Sequence, residues 1–369
     1  MTWHLFLLLA FTGHALGETY RLLSGFFGGQ SIVALDFDET ASSLSVVENM
    51  TLHGSGGSKW IALSKDEEEL YVATQGAFQS YRLNSTPSLE YQSNITLSSN
   101  CSNANFVVAS TKKPFAVFGA PYSGACSSVA MSVDKGALQA SFANLTYNSK
   151  AAVHGLALSP DEDFVYSADD TGNAIWVHSY DRPSGVIKEV QRLSAPSGAN
   201  PRHLTVHPSG SLVYVIYEEL NELAVYKREL NTGKLTDPNI TYSLLPSGYS
   251  NTSSYWSDEV LLSFSHHDTP KYAITGVRSH DSSKPGFVSI FSLDAHGNID
   301  KQLFTLPTTG SGGSANAVSP AKFSEEYFGI TDSGSNFIEV WKINESGSSA
   351  SSVAHLDLDG SPANIVWLG

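Results

Sequence analysis

Two arginines, a glutamate and a histidine have side chains suited to one kind of chemistry: Arg202, Arg278, Glu218 and His154. A guanidinium stays charged and presents a fixed fork of donors that matches a carboxylate. Two of them can hold a polycarboxylate in a reactive pose and stabilise enolate-like charge. Histidine titrates near working pH, so His154 is the candidate general acid/base, and Glu218 would orient it or share the proton transfer. Such a set can hold an anionic substrate, stabilise charge that develops on it and move one proton, and none of this calls for a cofactor. His203 and Glu259 join Arg202 and Arg278 as expected substrate contacts. Plainer readings stand beside these: Arg202 and Glu218 as a structural ion pair, His154 as a satisfied core histidine, and His207 before Pro208 as a turn residue. Asp169, Asp170 and Asp181 also read as turn residues. No Cys/His cluster or helical ligand spacing points to a metal.

The elements that must position these residues follow from the stretch Asn200 to Glu219, NPRHLTVHPSGSLVYVIYEE. It reads as strand, Pro-Ser-Gly turn and strand. Antiparallel strands reverse direction, so Arg202 at one start and Glu218 at the other end come out at the same rim. The unit recurs as WIALSKDEEELYVAT from Trp60, FVVASTKKPFAVFGA from Phe106 and VHGLALSPDEDFVYSADD from Val153. Two looser copies begin at Val260 and Ala315. Copies are spaced roughly 45 to 58 residues apart, the range of four-stranded propeller blades. A third strand follows each hairpin, as in AIWVHSYD, ELAVYKRE, FVSIFSLD and FIEVWKIN.

Six copies make six blades, and the two ends make the seventh. TYRLLSGFF, SIVALDFD and SLSVVENMTL are three strands with no opening strand, while ANIVWLG is a lone opening strand. Pairing Ala363–Leu368 with Tyr20–Ser24 closes the ring and removes exposed edges. The expected fold is all-β, a closed seven-bladed β-propeller over residues 18–369. Its functional groups belong at one mouth of the central channel.

Residues 1–17, MTWHLFLLLAFTGHALG, read as a secretory signal peptide cut after Gly17, since the apolar run is too short to span a bilayer. The mature protein is therefore expected to be secreted and soluble. Sequons at Asn49, Asn84, Asn94, Asn100, Asn144, Asn239, Asn251 and Asn344 fit that compartment as glycosylation sites. Cys101 and Cys126, the only cysteines, are expected to form one disulfide between neighbouring hairpins. A formal charge of −15 without basic clusters argues against nucleic acid or an anionic membrane as partner. A small anionic or lactone substrate remains compatible, provided a few arginines gather in one pocket.

The order VHGLALSPDEDFVYSADD, NPRHLTVHPSGSLVYVIYEEL and ITGVRSHD resembles the lactonase family of seven-bladed propellers, with the Pro-Arg-His segment its most specific part. That family includes bacterial 6-phosphogluconolactonases and fungal 3-carboxy-cis,cis-muconate lactonizing enzymes, and the run from His154 to Asp169 is closer to the fungal members. Tyr217 and Val277 stand where the family usually carries Asn. The resemblance implies that His154, Arg202, Glu218 and Arg278 are the active-site set. It also implies a cofactor-independent enzyme of the carboxy-muconate cyclase type. Two alternatives stay open: a secreted hydrolase of sugar-acid lactones, and a non-catalytic propeller that binds a glycan or a surface partner.

Overall fold

The computed structural model describes residues 18–54, 56–237, 240–249, 252–310 and 317–369. The expected leader and the sequons at Asn239 and Asn251 lie outside these residues. Seven antiparallel sheets account for the described chain. Blade one consists of Pro362–Trp367, Thr19–Phe26, Ser31–Asp38 and Ser43–Thr51, from inside outwards. The opening strands of blades two to seven are Ser58–Leu63, Ala104–Ala109, Val153–Leu158, Pro201–Val206, Tyr255–Leu262 and Val318–Pro320. Each opening strand packs beside the next, and the one in blade seven packs beside Pro362–Trp367, so the ring is closed. Among the described residues helix is limited to two 3-10 turns, Ser99–Cys101 and Thr252–Ser254. The seven-bladed propeller expected from the repeats is the fold observed.

Closure uses the expected pairing. Leu22 faces Trp367, Leu23 faces Val366 and Ser24 faces Ile365 in antiparallel register. Trp367 then donates its indole N–H to the Ser319 carbonyl of blade seven at 3.0 Å. Its ring packs edge-on against Phe37 and Phe323.

Burial explains the strand sequences. Second strands such as Phe164–Asp169 and Leu212–Tyr217 are buried at every position, because another blade covers each face. Between blades four and five, Tyr166, Val213, Val215 and Tyr217 fill the space. Burying each such side chain contributes about 1.5–3 kcal/mol. Outer strands such as Val186–Ser194 face solvent and are mostly polar.

The hairpin turns share one geometry. Ser64, Ser159 and His207 each donate a backbone N–H across the turn, to the carbonyls of Glu69, Phe164 and Leu212. Three residues after them, Glu67, Glu162 and Gly210 take φ of 61°, 58° and 76°. Glycine adopts that conformation without strain. Glu162 is held there by bonds from the backbone and hydroxyl of Thr111.

A second recurring device sits at the other ends of these hairpins. The register between first and second strands shifts at Ser58/Trp60, Ala104/Phe106, Val153/Gly155, Pro201/Leu204 and Ser257/Glu259. A bulge re-aims side chains and breaks the alternation of faces. The residues it releases are Lys59, Asn105, His154, Arg202 with His203, and Asp258. Five successive blades thus present a side chain at the same mouth.

Cys101 and Cys126 form a disulfide with sulfurs 1.98 Å apart. It differs from the expected link between neighbouring hairpins. Cys101 lies in the loop leading into blade three and Cys126 in the loop between that blade's second and third strands, so the bond lies within one blade. The leading loop runs back over the rim and meets its own blade there. The described sequon residues Asn49, Asn84, Asn94, Asn100, Asn144 and Asn344 are all exposed.

Candidate active site

The mouth is formed where opening strands begin and second strands end. Arg202 begins the hairpin of blade five and Glu218 follows its second strand, so they meet as their register requires. Arg202 Nε donates to Glu218 Oε1 at 2.9 Å. Arg278, from the second strand of blade six, donates through Nη2 to the same oxygen at 2.9 Å. Its Nη1 donates to Asp258 Oδ1 at 2.7 Å, and Arg202 Nη2 lies 3.6 Å from that oxygen. The indole of Trp256 lies against the Arg278 guanidinium, 4.6 Å from carbon to ring centre. All four ionic side chains are buried.

Burial raises the Glu218 pKa to about 7. The two arginines oppose that shift, and the neighbouring Asp170 and Asp258 add to it. Near neutral pH this carboxyl therefore exchanges a proton while seated between two cations.

His154 begins blade four beside this cluster. Its Nδ1 lies 2.9 Å from His203 Nε2, and the Asn105 amide nitrogen lies 3.3 Å from Nδ1 and from Nε2. The Tyr122 ring meets it edge-on at 4.8 Å. Burial, then the charges of Arg202, His203 and Arg278, hold its pKa well below the usual histidine value. The imidazole is neutral at working pH.

His203 and Glu259 stand one layer deeper. His203 Nδ1 lies 3.0 Å from Glu259 Oε2. The line between them is bent away from a well-aligned hydrogen bond, yet neither atom has another hydrogen-bond partner. Trp60 and Phe106 flank His203 with ring centres 4.8 and 5.3 Å away. These two residues, read from the sequence as substrate contacts, stand behind His154 as seen from this mouth, and Glu259 lines the cavity on the channel side. The bulges explain it, since each puts one residue in the mouth and the next into the channel.

The four residues expected to act together are therefore brought to one mouth. Sequence reasoning passed over Asp258, Tyr122, Asn105 and Lys59. It also read Asp170 as a turn residue, whereas its carboxylate accepts from the Tyr122 hydroxyl and from Asn200 Nδ2 at 3.0 Å. Asp170 follows the second strand Phe164–Asp169, where the rim makes turn and site coincide. The usable signal was positional: each of the bulge residues stands at the equivalent place in its repeat. Lys59, half-buried and bonded to Asn103 Oδ1, has its pKa lowered by burial.

The molecule is a seven-bladed propeller whose channel mouth gathers paired arginines and carboxylates from blades five and six. The family model for the seven-bladed β-propeller lactonases matches residues 22–300, and the chain belongs to that family. It is 27% identical to the carboxy-cis,cis-muconate cyclase of Neurospora crassa over 329 residues, covering 85% of this chain and 88% of that one. It is 25% identical to muconate cycloisomerase 1 of Cutaneotrichosporon cutaneum over 360 residues, covering 87% and 90%. The periplasmic gluconolactonase of Pseudomonas aeruginosa shares the fold, with a TM-score of 0.79 at 18% identity over 95% of this chain and 99% of that one.

Proposed function

We propose that this protein is a cofactor-independent lactone-forming enzyme that cyclises a muconate-type polycarboxylate. The observation that carries this reading is the single oxygen, Glu218 Oε1, gripped at 2.9 Å by arginines from two blades. A mouth that holds its own carboxylate this way is suited to a substrate carboxylate in the same place. In the reaction one substrate carboxylate oxygen bonds to the far carbon of a conjugated double bond. The π electrons move toward a carboxyl group at the other end, where enolate-like charge collects. Arg202 and Arg278 hold and stabilise that charge. The new C–O bond closes the ring, and His154 delivers one proton to the neighbouring carbon, which discharges the enolate and completes the addition. Protonation of Glu218 releases the guanidinium forks for the substrate.

Hydrolysis of a neutral sugar-acid lactone is the second reading. It is favoured by the ion pairs themselves, because Glu218 and Asp258 already balance the arginines and a neutral ring displaces no charge. The leader and the exposed sequons support secretion and glycosylation, which glycosidase treatment of the protein from culture medium tests.

The test of function follows diene absorbance of 3-carboxy-cis,cis-muconate with the purified protein, with Arg202→Ala and Arg278→Ala, and then titrates a panel of sugar lactones. Loss of the diene signal only with intact arginines supports the cyclase. Acid release from a sugar lactone alone would replace it with the hydrolase. Silence on both would leave a non-catalytic propeller that binds a glycan or surface partner.

A further inference from the structure

His154 is the proton donor in the reading above, yet a neutral imidazole is a very weak acid unless its other nitrogen gains a proton as the first is lost. The structure places such a supply behind it. His154 Nδ1 is 2.9 Å from His203 Nε2, and His203 Nδ1 is 3.0 Å from Glu259 Oε2. Each imidazole thus has one nitrogen toward the next member, leaving His154 Nε2 for the mouth.

The fold keeps this line in place. Bulges on adjacent blades release Arg202 with His203 and Asp258, while Glu259, next to Asp258, re-enters the ladder opposite Gly276 and reaches the channel. Blade four yields room at the same depth with Gly155. A Cβ there would come within 2.8 Å of His203 Cδ2 and of the Arg202 carbonyl oxygen. Beyond Glu259 the channel opens into a cavity of about 670 Å³ whose walls include Leu63, Leu158, Val206 and Leu262. Glu259 therefore has apolar surroundings on one side and an orphaned imidazole nitrogen on the other.

We propose that Glu259 stores a proton which His203 and His154 deliver to the substrate. This rests on the lactonisation reading. The Glu259 O–H bond breaks as His203 Nδ1–H forms. His203 Nε2–H then breaks as His154 Nδ1–H forms, and His154 Nε2 gives its proton to the carbon bearing the enolate-like charge. Glu259 is left as a carboxylate, and both imidazoles are left in the opposite tautomer. The Asn105 amide, 3.3 Å from His154 Nε2, is placed to meet the lone pair exposed there. When product leaves, one proton from solvent enters at that nitrogen and the hops reverse, restoring the acid.

The charged groups near the line are Arg202, Asp258 and Arg278. Burial nevertheless holds Glu259 well above the carboxylate range and His203 well below the histidine range, so a neutral acid faces neutral imidazoles.

Glu259→Gln in the full chain tests the store, because the amide keeps shape and hydrogen bonding but has no acidic proton. The variant is expected to unfold at the native temperature, to lose about 100-fold in kcat on 3-carboxy-cis,cis-muconate and to keep its KM. Glu259→Asp is expected to recover part of the loss. Native kcat in the glutamine variant, or equal losses in both variants, would overturn the relay. Infrared spectroscopy tests it without turnover. At neutral pH the native protein is expected to show the carbonyl stretch of a protonated carboxyl that Glu259→Gln lacks and that persists in Glu218→Gln. Absence of that band from the native protein would overturn the proposal even if the lactonisation reading stands. Its presence in an inactive protein would leave the store intact while the lactonisation reading fails.

Discussion

Between Arg202 and Arg278, the Glu218 carboxyl titrates near pH 7 because burial outweighs two adjacent positive charges. Above that pH it is an anion that occupies both guanidinium groups, and an incoming carboxylate must displace it. Binding of a non-reacting tricarboxylate such as tricarballylate is therefore expected to be flat from about pH 6, where the ligand is ionised, to about pH 7 and to weaken toward tenfold per pH unit above it. Calorimetry across that range checks this, with Glu218→Gln expected to abolish the dependence. The same shift sets a stability trend. The folded state holds the proton more tightly than the unfolded chain, so this stabilisation is complete below the ordinary carboxylate pKa and disappears as pH rises through about 7. Arg202→Lys keeps the charge but loses the planar fork shared by Glu218 and Asp258. A fall of roughly 100-fold in kcat/KM is expected, measured by the diene assay. The Arg202–Glu218 pair was legible because a hairpin's register depends on local sequence. Asp258 and Tyr122 were not, because their importance depends on which blades stand side by side.

The bulged opening strand is the element that turns a repeated hairpin into a site. Strict alternation would send Arg202 and His203 to opposite faces, yet both are buried, as are Asp258 and Glu259. A reading based on alternation therefore recognises the strands but cannot tell how deep in the channel each residue lies. Gly155 is the sharpest test of the layered arrangement. Gly155→Ala would press a methyl group against a backbone carbonyl as well as the His203 ring, and a carbonyl in a bulged strand has little room to yield. A loss of about 1–3 kcal/mol in stability is expected by denaturant unfolding. Activity is expected to fall further than stability explains, through displacement of His203. A stable, fully active Gly155→Ala protein would show that the deeper layer is not tightly set.

At the scale of the whole molecule, the propeller was legible because its strand–turn–strand unit recurs and its ends are complementary fragments of one blade. The disulfide's location within a single blade was not, since connection lengths do not say where a loop folds back. Trp367 joins blade one to blade seven through its ring contact with Phe323 and its bond to Ser319. Trp367→Ala is expected to cost about 3–5 kcal/mol, measured by chemical denaturation. Its unfolding should remain a single transition if the ring opens as a unit. The pairing of Leu22 with Trp367 also has a kinetic consequence. These partners are separated by about 345 residues, so joining them carries a larger loop-closure entropy than nearer strand pairs face. Until they meet, Thr19–Phe26 presents an unpaired edge to any strand it encounters. Circularisation is therefore expected to come late in folding, and the yield of refolded monomer is expected to rise on dilution.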